Sequence, residues 1–498
     1  METRPNSFNQ IVRSTTIFGG SQLGTMILSI LRTKILAVIL GRSGVGYLGL
    51  LQSIVDFVKS LSGLGLSFSA VKDVAVASGS NDSEKISQTL TMMRRWLYLT
   101  SLLGLLLTIL FAPAISRLFF DNYSESANIS LLSICVFSAI LSSGKLSILQ
   151  GFRKISWLAQ ASFFSALGSL MISVPLYLWL HQQGILPALI LSTLLTLIIT
   201  WLYTGRIKYT KANQTWAETL RKGKGMVELG VYSMVAGLIG TATMLAIRGF
   251  ILQSNNEETL GLYQAVWSIS NVYIAAILSS MGADFYPRLC EVNQHSKRLV
   301  ELTNEQLKFT LLFVAPCFIL MLLLARPILN ILYSGAFEQA TEFLRYQLAG
   351  TFFKVLIWPV GYILLAKNKG KRFLLVEVVW HVAYLGATVA FWPYMGLNAA
   401  GLAFLLAYIV YIPMVYALVK PLCGFRLDQK NLFLIFGNSV FFAVSFCLLK
   451  FDVIYAKPIA GLLFVISIVW SVMEIHRMIP ISRWGDILKK IIKRRFQK

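Results

Sequence analysis

Six cations stand where lipid is expected. Arg32, Lys34, Lys59, Lys145, Arg248 and Lys354 interrupt runs otherwise apolar enough to cross a membrane. A charge at mid-bilayer costs at least about 2.5–3.5 kcal/mol on insertion scales, so it faces a water-filled cavity, finds an internal partner, or snorkels outward. Guanidinium offers a planar fork and lysine a mobile point charge, the two groups that hold phosphate oxygens. Arg32 and Arg248 have no carboxylate nearby on their own helix and lie several residues from a helix end, which makes them the main anion-binding candidates. Lys59 and Lys354 lie nearer the middle of their spans and add to the same field. Asp56 sits three residues before Lys59 on one helix face, so that pair also has the spacing to neutralise itself. Lys34 and Lys145 have the bland reading of snorkelling cations.

The elements that must carry these residues follow from composition. The chain has 498 residues, 56% hydrophobic and 13% charged, with a mean hydropathy of +0.68; soluble domains carry about 25% charged residues. A crossing needs about 20 apolar residues, and such runs predict about fourteen transmembrane helices: 14–40, 45–71, 96–119, 127–150, 156–180, 184–204, 226–253, 260–287, 309–334, 340–366, 373–394, 397–419, 431–451 and 457–477. Runs such as "SLLGLLLTILFAPAI" are apolar all round, unlike the alternation of a membrane barrel strand. The first apolar run is too long for a signal peptide and has no small-residue cleavage site, so it is expected to remain as an anchor.

Cation placement sets the expected orientation. Taking loops alternately, one set with the termini holds about 33 of the 45 Lys and Arg, and the other holds about six. Cytoplasmic loops carry the excess, which predicts cytoplasmic termini. Topology therefore accounts for the net charge of +23, and no nucleic-acid partner is expected. The tail "RWGDILKKIIKRRFQK" alternates an apolar and a basic face at helical spacing, as a helix lying on membrane lipids does.

Other chemistries find no footing. Cys135, Cys290, Cys317, Cys423 and Cys447 are widely spaced, and His181, His295, His381 and His476 equally scattered, so neither zinc spacing nor a CxxC pair exists. The Gly144-Lys145 pair lacks the flanking residues of a phosphate-cradling Walker loop. No metal or cofactor is expected. Polar residues within spans, among them Gln22, Gln52, Gln150, Asn271 and Gln347, have the spacing either to line a cavity or to bond a neighbouring helix.

A weak internal repeat organises the chain. "RTKILAVILGRSGVGYLGLLQSIVDF" pairs with "RGFILQSNNEETLGLYQAVWSISNV", so that Gly46, Ser53 and Ile54 match Gly261, Ser268 and Ile269 at one constant offset. A parallel duplication of six helices is what this predicts: an N-lobe over 1–205, a cytoplasmic linker over 206–225, a C-lobe over 226–420, two further helices over 421–479 and the interfacial tail 480–498.

The first helix ending in "RTKILAVILGRSGVGYLGLLQSI", the six-plus-six plan, the two extra helices and the basic middle loop resemble Wzx-type polysaccharide-unit flippases of the multidrug/oligosaccharidyl-lipid/polysaccharide exporter superfamily. The resemblance implies an all-α membrane fold of two six-helix lobes around a V-shaped central cavity, with alternating access in a bacterial inner membrane. It also implies an undecaprenyl-diphosphate-linked oligosaccharide as cargo, for O-antigen or other polysaccharide synthesis, and polysaccharide polymerase machinery as a partner. Arg32 and Arg248 would hold the diphosphate, with Lys59 and Lys354 supporting. Asp284 has the spacing to pair with Arg288 as an inner gate. Moving two negative charges outward is favourable by about 2.3 kcal/mol per charge per 100 mV. Where resetting uses a counter-ion, a proton or sodium, Asp56 is its first candidate. A lipid II flippase and a multidrug efflux transporter are the alternative readings. A membrane glycan polymerase is disfavoured because the outer loops are short and show no catalytic residues.

Overall fold

A computed structural model describes residues 7–79, 82–152, 154–207, 212, 214–451 and 453–478. The tail 480–498 lies outside the described residues, as do several positions of the 206–225 linker and the side chains of Gln22 and Asp284. Every long element among the described residues is helical: α1 Ser7–Ser62, α2 Leu66–Gly79, α3 Ser83–Phe120, α4 Ser126–Gly151, α5 Ile155–Leu180, α6 Ile185–Gly205, α7 Trp216–Ser254, α8 Glu257–Trp267, α9 Ile274–Glu291, α10 Ser296–Leu323, α11 Ala325–Leu332, α12 Thr341–Ala366, α13 Gly370–Met395, α14 Asn398–Cys423, α15 Gln429–Lys450 and α16 Ala456–Met478. Eleven helical stretches in this set are long and apolar enough to cross a membrane. Leu110, Phe436 and Val472 stand exposed on them, as lipid-facing side chains must. The protein is a multi-pass all-α membrane protein. Spans from α4 to α6 and from α12 to α16 fall within a few residues of their expected bounds.

Boundaries move where the signal is not hydropathy. α1 runs through the expected gap after residue 40, yet its backbone breaks at Gly41, whose φ of 67° belongs to the left-handed region that glycine enters without strain. The second span was expected to continue to 71; instead the helix stops at Ser62, and Leu64 and Gly65 take φ of 50° and 63° before α2 begins. α3 starts at Ser83 rather than 96, because the Asp82 carboxylate accepts from the Glu84 and Lys85 amides at 3.0 and 3.3 Å and starts the helix in its polar extension. Within the 206–225 interval, α7 begins at Trp216 on a capping box: the Thr215 hydroxyl accepts from the Glu218 amide and the Glu218 carboxylate accepts from the Thr215 amide. The expected 260–287 helix is split by a π-turn, Ser268–Tyr273, between α8 and α9, and the expected 309–334 helix divides into α10 and α11.

Several hydroxyl groups inside the spans bond a carbonyl of their own helix. Thr108 donates to the Gly104 carbonyl at 2.7 Å, Ser142 to Ser138 at 2.6 Å and Thr388 to Tyr384 at 2.7 Å, which removes the cost of leaving a hydroxyl unpaired in oil.

The chain divides into two compact units. The first comprises 1–265 with 330–337. In it α1 packs on α5 and α7, and α4 lies against α2, α3 and α6. The second comprises 266–329 with 338–498. There α12 and α13 pack on α14, and α10 packs on α12, α15 and α16. The second unit is tied by Lys308, whose amine lies 2.8 Å from the Glu474 carboxylate, and by Ser467, which donates to Asn438 at 3.0 Å.

Candidate functional site

In the first unit the break after Ser62 shapes a cavity. The chain turns at Gly63–Gly65 and restarts as α2, leaving a pocket of about 310 Å³ lined by Asp56, Lys59, Ser60, Ser67, Ser143 and Thr241 among others. Ser67 and Ser143 place their hydroxyls 3.1 Å apart. Leu66 and Ser67, the first residues of α2, line the same space, so the positive end of a helix joins the Lys59 amine there. Asp56 is exposed and Lys59 half-buried. A cation, several hydroxyls and a helix start make an environment chemically complementary to an anionic, hydroxyl-rich group.

Arg248 of α7 supplies the adjoining charge. It is 8% exposed, donates through Nη2 to the Gln264 amide oxygen at 2.7 Å and through Nη1 to the Ser53 hydroxyl. The Ser53 and Gln264 partners are neutral groups that hold the guanidinium in a fixed direction. The Asp56 carboxylate feels the positive charge of both Lys59 and Arg248. Arg32 sits apart on the first half of α1, half-buried, with Nη2 3.5 Å from the Tyr177 hydroxyl of α5. Its buried Nε has no hydrogen-bond partner among the described residues. Thus Asp56, Lys59 and Arg248 are gathered, whereas Arg32 makes its contact at a different helix.

The Gly41 end of this unit is closed by polar contacts. Arg42 pairs with Glu258, Ser43 bonds Glu257, and Gln182 donates to Glu257 at 3.1 Å. Nearby, the Tyr47 hydroxyl donates to Glu125 at 2.9 Å. The two glycines matched by the internal repeat meet here: a Cβ on Gly46 would lie 2.7 Å from the Gly261 nitrogen, and one on Gly261 would strike the Arg42 carbonyl. Only glycine at both positions permits that approach.

In the second unit, Lys354 of α12 donates to the Asn271 amide oxygen at 3.0 Å. Asn271 is delivered by the π-turn and donates in turn to Ser270 at 3.1 Å. Glu377 of α13 acts electrostatically on Lys354 and accepts from the Tyr411 hydroxyl at 2.9 Å. Tyr408, which feels the Glu377 charge, belongs to a cluster with Trp380, Tyr384 and Phe404 whose rings pack edge and face with centroids 5.1–5.5 Å apart. Glu377 was missed from the sequence, although a carboxylate inside "FLLVEVVW" is as conspicuous as the cations. Gln264 was missed because an amide near a helix start carries no signal. Gln347 is fully buried with both amide atoms unbonded among the described residues, Gln52 is half-buried and Gln150 is exposed. Lys34 donates to the Asn330 carbonyl at 3.2 Å and Lys145 is buried. Arg288 is exposed on α9.

Comparison with known proteins adds a family and a fold. A family described as "Polysaccharide biosynthesis protein" matches residues 35–342. A lipid III flippase of Escherichia coli (strain K12) is 24% identical over 390 residues, 76% of this chain and 91% of that protein, and one of Shigella flexneri matches equally. Among solved structures, an inward-facing multidrug resistance MATE family transporter of the MOP superfamily has a TM-score of 0.68 at 16% identity, over 82% of this chain and 98% of its own. The lipid II flippase MurJ in an inward closed conformation has a TM-score of 0.66 at 14% identity, over 93% and 99%. At these identities the structures speak for the fold.

Proposed function

The chain belongs to the polysaccharide biosynthesis protein family, and from that premise we propose that it carries an undecaprenyl-diphosphate-linked oligosaccharide from the cytoplasmic to the periplasmic leaflet of a bacterial inner membrane. At the coarser level it is a flippase of the multidrug/oligosaccharidyl-lipid/polysaccharide exporter superfamily acting on a lipid-linked glycan intermediate, a transporter and not an enzyme. The observation that carries the finer reading is the cavity at the Gly63–Gly65 break, where Lys59, a helix start and four hydroxyl side chains line one space within a membrane-spanning unit and Arg248 adds its field.

In this mechanism Arg248 and Lys59 hold the diphosphate while the hydroxyls of Ser60, Ser67, Ser143 and Thr241 meet the first sugars. Arg32, with its unused Nε–H, gives the diphosphate a second station along its path, and Lys354 contributes field rather than contact. Residues 1–205 and 226–420 act as the lobes that alternate access, joined by 206–225, with both termini cytoplasmic and the 480–498 tail on the membrane surface. Asp284 and Arg288 act as an inner gate. Asp56 takes up a proton or sodium ion when the emptied cationic cavity resets. The polymerase machinery receives the product.

The test is deletion in the native cell followed by leaflet-resolved mass spectrometry of undecaprenyl-linked material. One complete glycan accumulating on the inner leaflet is expected, and its mass names the cargo. Unchanged lipid intermediates with altered drug tolerance would overturn the reading in favour of efflux. Accumulating lipid II would reassign the cargo.

A further inference from the structure

Three of the helices that line the polar cavity, α1, α3 and α7, also line an apolar one. A groove of about 610 Å³ lies among α1, α3 and α7, bounded chiefly by Phe57, Leu61, Phe111, Leu118, Ala246 and Phe250. Pockets for small apolar ligands span about 300–1,000 Å³, and this one is almost wholly apolar, with Gln253 its one polar lining residue. Its residues interleave with those of the charged site. On α1, Ile54, Phe57, Val58 and Leu61 face the groove while Asp56, Lys59 and Ser60 face the polar cavity; on α7, Ala242 faces the groove and Thr241 the polar cavity. Arg248 falls between groove residues Ala246 and Gly249, yet turns its guanidinium to Ser53 and Gln264. Phe111 and Leu118 at the rim are 50% and 59% exposed, so the groove is open at its α3 side.

We infer that this groove holds the polyprenyl tail of the same lipid whose diphosphate is held on the other face of α1 and α7. The inference rests on the reading above. An anionic head and a long apolar chain joined in one molecule require charged and apolar surfaces within a few residues of each other, and α1 and α7 present both. α7 lines the groove with the small residues Ala242, Ala246 and Gly249 together with the larger Leu245, Phe250 and Gln253. Burial of that chain supplies apolar binding energy, while the cationic face fixes which lipid is accepted.

The test uses the purified full-length protein in nanodiscs. Ala114→Phe and Ala246→Phe fill the groove from α3 and α7 and are expected to weaken undecaprenyl diphosphate binding by about tenfold or more, with affinity for inorganic diphosphate unchanged. Because a filled groove can also disturb packing, Phe111→p-benzoylphenylalanine keeps an aromatic ring in place and reports directly: light is expected to crosslink it to undecaprenyl diphosphate, with protection by excess of that lipid and none by phosphatidylglycerol. Equal protection by phosphatidylglycerol would make the occupant an ordinary bilayer lipid and overturn the inference. Normal undecaprenyl diphosphate binding in both filled variants would place the tail elsewhere and overturn the inference alone. If the wild-type protein binds undecaprenyl diphosphate no better than phosphatidylglycerol, the proposed cargo falls and the inference falls with it.

Discussion

Besides the Lys308–Glu474 tie of the second unit, each unit brings a lysine and a carboxylate under each other's field within its spans, Asp56 with Lys59 and Lys354 with Glu377, and these two arrangements differ in what surrounds them. Asp56 and Lys59 share a helix turn and open onto a cavity with hydroxyl walls. Lys354 and Glu377 stand on neighbouring helices, bonded to Asn271 and Tyr411, with Tyr408 of the aromatic cluster near Glu377. A charge with its hydrogen bonds already made inside the protein has little left for a ligand, whereas a charge facing open volume does. On the proposed reading the first lysine is the one available to cargo, while the second is engaged by Asn271 of its own unit.

Four measurements break or sharpen that contrast. Arg248→Ala should have the largest effect, lowering flipping by about 100-fold or more, since charge-assisted bonds contribute about 1.5–3 kcal/mol each. Leaflet accumulation of the glycan lipid reads this at unchanged protein abundance; normal flipping in both Arg248→Ala and Arg32→Ala would remove the arginine site. Next, Lys59→Ala should slow flipping by about tenfold through loss of one such contact, with Lys59→Arg restoring most of it. Asp56→Asn should cost only a few-fold at the resting potential but remove any dependence of flux on pH or sodium at clamped voltage; a wild-type flux indifferent to both would end ion coupling. Smallest in transport, Lys354→Met should lower the melting temperature by an amount worth about 1–3 kcal/mol while changing flipping per folded molecule little. Joining it with Glu377→Gln should recover part of that loss through a coupling of about 0.5–3 kcal/mol.

The sequence revealed those features whose cost in lipid is large. Spans from α12 to α16 were placed closely because an apolar run of the right length has few other uses, and Arg32, Lys59, Arg248 and Lys354 stood out because each breaks such a run. Helix turns outside the bilayer were not visible in that way: Ser83–Arg95 is polar enough to read as loop, and only Asp82 hints at its start. Nor were partners visible. Tyr177 and Gln264 are ordinary residues 145 and 16 positions from the arginines they meet, and nothing in a linear pattern joins them. The glycine-rich "SLSGLGLSFSA" announced a bend, but that the bend opens a cavity depends on α3, α4 and α7 packing around it.

The π-turn at Ser268–Tyr273 has one further consequence. An α-helix advances about 100° per residue, and a π-turn usually amounts to one residue too many for its turn. α9 thus runs out of phase with the helix that would have continued through Ser268, and a helical-wheel drawing carried across the turn assigns its faces wrongly. Removing a single residue from the turn would reset that phase and swing Asn271 away from Lys354. Apart from Asn271, whose side chain meets Lys354, the segment is more sensitive to the number of its residues than to their identity, and a deletion scan tests that phase as an alanine scan does not.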